Sequence, residues 1–346
     1  MSIIKVGING FGRIGRSFYK VAHSREDMEV VAINDLGDPE NLAYLLKYDT
    51  AQKLSIGDIS VEHEGDHSVL VAEGKRTQLY SFRDPKEIPW GAHDVDVVIE
   101  STGIFTTYEL AGQHLASGAK RVVVSAPIKG DPVLGIDGGT ILMGINEGNF
   151  EGKKVTSNAS CTTNAGSPLI AILNETVGVE KALLNTVHGY TASQSLVDGP
   201  KKDWREGRAA AQNIIPTSTG AAIATTKVMP ELEGKFDGIA LRVPVISGSV
   251  VDVTFVAKRD TSAEEINTIL ENASREPRWM KTFGATWEPL VSSDIIGSDK
   301  ASIADLHFTR VVGGNLVKVL AWYDNEMGYT YSLIYHVAKL GEFLEH

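Results

Sequence analysis

The chain has 346 residues, of which 42% are hydrophobic and 22% are charged, as in a typical folded globular protein. Its formal net charge of -11 argues against binding to nucleic acid or to an anionic membrane through bulk charge. No signal-peptide pattern is visible, and no apolar run approaches the roughly 18 residues of a membrane helix. We expect a cytoplasmic protein with no membrane partner, and the single cysteine, Cys161, fits a reducing compartment.

The first half of the chain alternates predicted strands with predicted helices, which is typical of a parallel α/β sheet. Apolar strands at 3–8 and 30–34 flank a helix over 15–24, and together they form a βαβ unit. Helical spacing predicts another helix over 107–118, between strands at 95–100 and 121–125.

The second half has longer strands with alternating polarity, which predicts an α+β domain with a mainly antiparallel sheet. Ser262, followed three residues later by Glu265, predicts the start of a helix over 261–273. The segment 193–215 has no clear period, and loops of this length tend to be functional or to make contacts. The remaining predicted elements are strands at 183–190, 238–245, 250–258 and 316–323 and a final helix over 331–343.

Residues 10–15 fit the pattern G-x-G-x-x-G between the first strand and its helix, and Asp35 follows at the end of the next strand. This combination predicts a dinucleotide site, in which glycines let the backbone approach the pyrophosphate and the helix start offers free N–H groups. The alternative is a simple glycine turn joining a strand to a helix. The candidate cofactor-binding residues of this motif are Gly10, Gly12, Arg13, Ile14 and Asp35.

Asp35 also indicates which dinucleotide is bound. Its carboxylate can accept a hydrogen bond from a ribose 2′-hydroxyl but would repel a 2′-phosphate. The segment 34–38 offers no lysine or arginine to neutralise such a phosphate. The sequence therefore favours NAD over NADP.

Cys161 lies in a polar stretch, 157–164, that precedes a helical pattern. We expect Cys161 in or near the first turn, where a helix N-terminus stabilises the thiolate needed for attack on an aldehyde. The alternative is a small buried hydrophobic residue. His188, at the predicted end of a strand before Gly189, is the candidate base, and its alternative is an ordinary histidine near a turn.

Taken together, these motifs make the chain resemble glyceraldehyde-3-phosphate dehydrogenase over nearly its whole length. The likeness rests on residues 9–16, 157–164, 186–188, 214–221 and 322–326, which occur in the order and spacing of that family. It implies a Rossmann domain at 1–160, completed by a C-terminal helix at 327–346, and a catalytic and oligomerisation domain at 161–326.

The resemblance implies that Cys161 forms a hemithioacetal and then a thioester with D-glyceraldehyde 3-phosphate, and that inorganic phosphate releases an acyl phosphate. His188 would act as base and acid. NAD would be the cofactor, and the protein a homotetramer. The further cofactor contacts implied are Arg83, Thr102, Gly103, Ser125 and Asn325.

Two anion sites are also implied by the resemblance, although taken alone Thr219 is a loop threonine and Arg242 a solvated strand charge. The site for attacking phosphate would consist of Ser160, Thr162, Thr219 and Gly220. The site for the substrate's phosphate would consist of Thr191 and Arg242.

The sequence departs from the family pattern at several places, none of which removes a catalytic group. The departures are Gly189, Ala165, Ile223, the segment 247–249 and an apparent insertion at 130–139. Three other functions remain open: an erythrose-4-phosphate dehydrogenase that passes the thioester to water, a catalytically silent binding protein on the same scaffold, and a semialdehyde dehydrogenase.

Overall fold

The computed structural model describes residues 3–65 and 67–344, which divide into two compact units. Unit 1 comprises Met1–Ala159 and Leu333–His346, and unit 2 comprises Ser160–Ser332. Within the described residues, no helix is both long and apolar enough to span a bilayer.

Unit 1 is built on a sheet that has nine strands among the described residues. Its strands are β1 (Ile4–Asn9), β2 (Met28–Asn34), β3 (Ile59–Glu64), β4 (His67–Ala72), β5 (Lys75–Tyr80), β6 (Val97–Glu100), β7 (Arg121–Val124), β8 (Gly138–Thr140) and β9 (Val155–Ser157). Its helices before residue 160 are α1 (Arg13–His23), α2 (Pro39–Lys47), α3 (Tyr108–Ala111) and α4 (Gln113–Ala116).

The strand order is β3-β4-β5-β2-β1-β6-β7-β9-β8, and the pairs from β5 to β8 are parallel. The central strands are buried on both faces, which favours a run of apolar residues such as the three that precede Glu100 in β6. At the other edge, β3, β4 and β5 form an antiparallel meander. The parallel strands place all their carboxyl ends along one edge.

Unit 2 contains a second sheet, of seven strands in the described part of the chain. Its strands are β10 (Val179–Gly189), β11 (Ile215–Ser218), β12 (Phe236–Val243), β13 (Ser249–Ala257), β14 (Phe283–Thr286), β15 (Ser302–Val312) and β16 (Leu316–Tyr323). The later helices of the chain are α5 (Cys161–Thr176), α6 (Ala221–Val228), α7 (Ala263–Ala273) and α8 (Met327–Gly341), of which α8 passes from unit 2 into unit 1.

The unit 2 sheet has the order β11-β12-β10-β13-β16-β15-β14, and only β10–β12 and β14–β15 pair in parallel among its described strands. Strand β13 alternates buried and part-exposed residues along its whole length, as expected of a sheet with one covered face. Helix α5 packs on that sheet beside α6 and α7. This packing fixes the first turn of α5 relative to the end of β10.

The predicted fold class, an α/β dinucleotide-binding domain with a second α+β domain, is confirmed. The single helix predicted over 107–118 is wrong, because Gly112 separates α3 from α4. A Cβ at Gly112 would lie 2.3 Å from Ile136 Cδ1, so the Ile136 side chain packs directly against this break. The meander of β3 to β5 was not predicted, and α8 starts four residues before the predicted helix.

Candidate active site

Unit 1 carries the predicted cofactor-binding residues other than Asn325, which belongs to unit 2, at the carboxyl edge of its parallel strands. In open α/β sheets this edge is where ligands bind. Asp35 follows β2, Arg83 lies three residues beyond β5, and Ser125 directly follows β7. Thr102 and Gly103 follow β6 in the same way. The fold therefore brings to one edge residues that are distant in the sequence.

The glycines of the turn between β1 and α1 are there for different physical reasons. Gly10 has φ +94°, and a Cβ on it would lie 2.7 Å from the Thr102 nitrogen. A Cβ on Gly15 would lie 2.2 Å from the Gly10 carbonyl oxygen. At Gly12 no heavy atom of the described residues would lie within 4 Å of a Cβ, so this residue borders open space. Gly12 is the position where a ligand could approach the backbone.

The start of α1 fits the pyrophosphate of a dinucleotide. No side chain of the described residues caps this helix at Gly12, and the first turn includes Ile14. The Arg13 guanidinium pairs with Asp49 at 2.6 Å, and the start of a helix attracts anions such as phosphate. Asp35 accepts hydrogen bonds from the Phe11 N–H at 2.6 Å and the Gly37 N–H at 2.8 Å. These contacts fix its carboxylate beside the turn.

Cys161 is the first residue of α5 in unit 2, and the Ser160 hydroxyl caps the helix by accepting from the Thr163 N–H at 3.1 Å. Ala159, which precedes the capping Ser160, has φ +53°, an unfavourable conformation for a residue with a Cβ. Such strain is characteristic of residues whose position matters for function. The half-buried thiol thus lies at a helix N-terminus.

The strand β10 brings His188 to this thiol, with Nε2 3.4 Å from Cys161 Sγ. His188 is only 3% exposed. Residues 161 and 188 are therefore a nucleophile and a base within hydrogen-bonding reach, as covalent catalysis requires.

The other ring nitrogen of His188 has two neighbours of opposite character. The Arg242 Nη1 lies 2.7 Å from Nδ1, and the Gly189 carbonyl oxygen lies 2.6 Å from it. Because guanidinium only donates, Nδ1 accepts when it faces Arg242 and donates when it bonds to Gly189. Only the second tautomer leaves Nε2 free to accept a proton from the thiol. The pairing of β10 with β12 places His188 opposite Arg242.

Burial and the Arg242 charge change the proton affinities of this pair. Burial, followed by the charge of Arg242, lowers the pKa of His188 to about 3. Burial also raises the pKa of the Cys161 thiol, and the Arg242 charge partly opposes this effect. Before substrate binds, the lowered pKa of His188 and the raised pKa of Cys161 both favour the uncharged pair of thiol and imidazole.

Tyr323 links the thiol helix to the histidine strand. Its hydroxyl lies 3.0 Å from Thr162 Oγ1 and 2.7 Å from Thr186 Oγ1. Its ring makes an edge contact with His188, with the centroids 5.8 Å apart. Burial raises the pKa of Tyr323, so it remains a neutral phenol. Sequence analysis gave no role to Tyr323 or Thr186, although both lie in segments that carry the resemblance, because their hydroxyl groups meet only in the folded chain.

Asn325 is held by two serines of the segment before and at the start of β13. Ser249 accepts from the Gly189 N–H at 3.1 Å and donates to Asn325 Oδ1 at 2.8 Å. The Ser247 hydroxyl lies 2.9 Å from Asp324 Oδ1 and 3.3 Å from Asn325 Oδ1. A hydrogen-bonded path therefore joins the end of the His188 strand to Asn325.

The predicted phosphate-binding residues of unit 2 are only partly brought together. Arg242 contacts His188 directly, and Thr162 lies next to Cys161. Thr219 and Gly220 lie at the start of α6, where the Thr219 hydroxyl accepts from the Ala221 N–H at 3.2 Å. The Thr191 hydroxyl lies 3.1 Å from that of Ser193.

Comparison with known proteins gives two family matches. Residues 4–108 match the glyceraldehyde 3-phosphate dehydrogenase NAD binding domain, and residues 160–325 match the C-terminal domain of the same enzyme. The chain is 45% identical over 334 residues to glyceraldehyde-3-phosphate dehydrogenase 2 of Streptomyces avermitilis, a match that covers 96% of each chain. It is 44% identical over 343 residues to glyceraldehyde-3-phosphate dehydrogenase 1 of Bacillus subtilis, covering 98% of this chain and 99% of the relative.

The chain belongs to the glyceraldehyde-3-phosphate dehydrogenase family. The predicted family, the NAD cofactor and the assignment as an NAD-dependent phosphorylating dehydrogenase are confirmed. When NAD is bound it supplies the hydride acceptor of the reaction. The chain's own task is to hold the cofactor and to provide the nucleophile and base.

Two departures from the pattern of the glyceraldehyde-3-phosphate dehydrogenase family meet in space. A Cβ at Gly189 would lie 3.0 Å from the Val245 carbonyl oxygen. Gly248 has φ +86°, and a Cβ there would lie 1.9 Å from the Ser292 carbonyl oxygen. Gly189 and the segment 247–249 therefore form one packed unit, joined by the bond from Gly189 to Ser249. The exposed Ile223 lies apart from this unit, in α6.

Proposed function

We propose that this chain oxidises D-glyceraldehyde 3-phosphate to 1,3-bisphosphoglycerate in glycolysis or gluconeogenesis, with reduction of NAD, through a thioester on Cys161. The observation that carries the proposal is the 3.4 Å separation of Cys161 Sγ and His188 Nε2 at the N-terminus of α5. A thiol in this position can lose its proton to the imidazole and attack an aldehyde carbon.

In the first half of the reaction, His188 Nε2 takes the thiol proton while Sγ bonds to the aldehyde carbon. Nε2 returns that proton to the carbonyl oxygen, which becomes the hydroxyl group of a hemithioacetal. The hydroxyl proton would then pass back to Nε2 as the carbonyl re-forms and a hydride leaves for the cofactor. The product on the chain is a thioester. The tautomer that allows this has Nδ1–H bonded to the Gly189 carbonyl, at the observed distance of 2.6 Å.

Arg242 would bind the phosphate group of the substrate together with Thr191. A guanidinium forms strong bonds to phosphate, so this step draws Arg242 from His188 Nδ1, which it contacts at 2.7 Å. Binding of the substrate would then favour the tautomer in which Nε2 is a base. Inorganic phosphate, held by Ser160, Thr162, Thr219 and Gly220, attacks the thioester in the second half and releases the acyl phosphate.

The chain would work as a homotetramer in the cytoplasm. Support for an oligomer comes from the segment 193–215, which has large apolar side chains in water. Leu196 is 78% exposed, Val197 is 74% exposed and Trp204 is 86% exposed. Several large apolar side chains exposed in one segment are typical of a surface that another protein covers. Sedimentation of the purified chain tests the assembly.

Steady-state NADH formation tests the proposed reaction. We expect turnover with D-glyceraldehyde 3-phosphate and NAD that requires inorganic phosphate, with erythrose 4-phosphate as the poorer substrate. Phosphate-independent turnover of erythrose 4-phosphate would support the erythrose-4-phosphate dehydrogenase instead. No reduction of NAD with either aldehyde would indicate a silent scaffold.

A further inference from the structure

A group of buried polar side chains lies at the carboxyl edge of the unit 1 sheet. Glu100, the last residue of β6, is 1% exposed, and His114 in α4 has no exposed surface. His114 Nε2 lies 3.1 Å from Glu100 Oε2, and Trp90 Nε1 donates to His114 Nδ1 at 3.0 Å. Because an indole N–H can only donate, Nδ1 is the acceptor and Nε2 carries the proton. His114 is therefore a neutral imidazole that donates to Glu100.

Both carboxylate oxygens of Glu100 are taken up by donors. Oε1 accepts from the Thr102 N–H at 2.8 Å and from the Thr102 hydroxyl, and Oε2 accepts from Asn9 Nδ2 at 2.6 Å as well as from His114. Asn9 cannot turn its amide round without loss, because its Oδ1 accepts from Asn34 Nδ2 at 2.8 Å. A buried carboxylate without a cationic partner is stable only when its lone pairs are filled in this way.

These bonds join the ends of β1, β2 and β6, which flank the glycine turn. The Ser101 hydroxyl donates to the Gly10 carbonyl at 2.7 Å, and a Cβ on Gly10 would lie 2.7 Å from the Thr102 nitrogen. The glycine turn and the segment 102–103 are thus packed against each other with no room for a Cβ at Gly10. Whatever fixes Thr102 therefore also fixes the segment 102–103 against the glycine turn, where we place the cofactor.

We propose that Glu100 and His114 are positioning residues for NAD, which hold Asn9 and Thr102 so that the glycine turn and the segment 102–103 bind the cofactor together. This role rests on the proposed placement of the cofactor at this edge. Neither side chain needs to touch NAD. Their effect is carried by the four donors that converge on one carboxylate.

The variant Glu100→Gln tests this role with almost no change in shape. Whichever way its amide lies, the NH2 group faces two donors, either those of Thr102 or those of Asn9 and His114. An unsatisfied buried donor forces Thr102 or Asn9 to shift, so we expect NAD to bind about tenfold more weakly. The matched control is Glu40→Gln, which alters a solvent-exposed Glu–His pair of the same unit, Glu40–His63 at 2.7 Å, and should bind NAD as the native chain does.

Two substitutions of His114 separate positioning from stability. His114→Gln retains a donor toward Glu100, whereas His114→Leu retains only bulk. The readouts are the dissociation constant for NAD, the thermal midpoint and the rate at which iodoacetamide alkylates Cys161 without cofactor. We expect the NAD affinity to fall more in His114→Leu than in His114→Gln. This loss of affinity should exceed what the change in thermal midpoint alone would explain. The alkylation rate of Cys161 should not change.

If Glu100→Gln bound NAD as tightly as the native chain, the positioning role would be overturned. The same holds if, in both His114 variants, the loss of NAD affinity simply followed the fall in thermal midpoint. A native chain that binds no NAD would overturn the proposed function, and the positioning role with it. The native titration therefore distinguishes the two failures.

Discussion

The two units contribute to the site with different parts of the chain. Unit 1 presents backbone groups at the edge of a parallel sheet, and its key residues are glycines that make room and polar side chains that hold the strand ends in place. Unit 2 presents side-chain chemistry, with Cys161 and His188 3.4 Å apart at the start of a helix and the end of a strand. In unit 1, cofactor binding thus depends on the space that small residues leave for the ligand. In unit 2, the reaction depends on the reactive side chains that the residues carry.

The substitution His188→Asn should show the largest effect and should leave the properties of unit 1 unchanged. It removes the base that takes the thiol proton, so we expect kcat to fall by about 10²–10⁴-fold. The dissociation constant for NAD should not change. His63→Asn, which alters an exposed histidine, is the control. Weaker NAD binding in His188→Asn would break the proposed division of roles.

Substituting Gly15 with alanine should damage unit 1 itself. The new Cβ would lie 2.2 Å from the Gly10 carbonyl oxygen, so the turn must shift. We expect the free energy of unfolding to fall by about 1–3 kcal/mol, as for an overpacked core, together with weaker NAD binding. Urea titration measures the first effect. A variant as stable as the native chain would show that the turn adapts freely.

Gly12→Ala sharpens the comparison, because its Cβ would meet no described heavy atom within 4 Å. We expect native stability but about tenfold weaker NAD binding, since the methyl group occupies space that the pyrophosphate needs. Calorimetric titration with NAD measures the change. Unaltered affinity would place the pyrophosphate elsewhere.

His336 allows a test of acid stability in unit 1. This histidine is fully buried against Thr156 and Asn158, and burial lowers its pKa to about 3. Between that value and the ordinary pKa of about 6.5, the unfolded chain binds a proton that the folded chain does not, so stability falls as pH falls. His336→Gln should reduce this dependence by about 1.4 kcal/mol per pH unit in that window. Urea midpoints at a series of pH values measure it, and an unchanged slope would contradict the assignment.

The smallest expected effect concerns Arg242 in unit 2. Its charge lowers the pKa of Cys161 against the larger opposing effect of burial. Arg242→Gln should therefore move the thiol pKa upward, and Arg242→Lys, which keeps the charge, should move it less. The pH dependence of alkylation by iodoacetamide measures both. A downward shift in the glutamine variant would contradict the electrostatic role.

Local patterns predicted the parts of the fold that depend on local physics. The βαβ unit, the cap at Ser262 and the helix starting at Cys161 all follow from neighbouring residues, and the structure has each of them. The meander of β3 to β5 was missed because its strands mix exposed and buried residues without a clear period. The break at Gly112 was missed because a single glycine inside a helical pattern does not by itself mark the end of a helix.

The candidate site divides in the same way. Cys161 and the glycine turn carry motifs, and His188 could be suggested from its place before Gly189. The contact of Arg242 with His188 depends on the register of two strands, which no local pattern specifies. Glu100 and His114 lie in an apolar strand and a short helix, and only the fold shows that they are partners.

The most direct test of the proposed thioester is a rapid-mixing experiment with D-glyceraldehyde 3-phosphate and NAD in the absence of inorganic phosphate. We expect a burst of NADH equal to the concentration of active chains, an acyl adduct on Cys161 by mass spectrometry, and its rapid loss when phosphate is added. Cys161→Ser should bind NAD and give neither burst nor adduct. A native chain that forms NADH with no adduct on Cys161, or a serine variant that keeps the burst, would contradict the account.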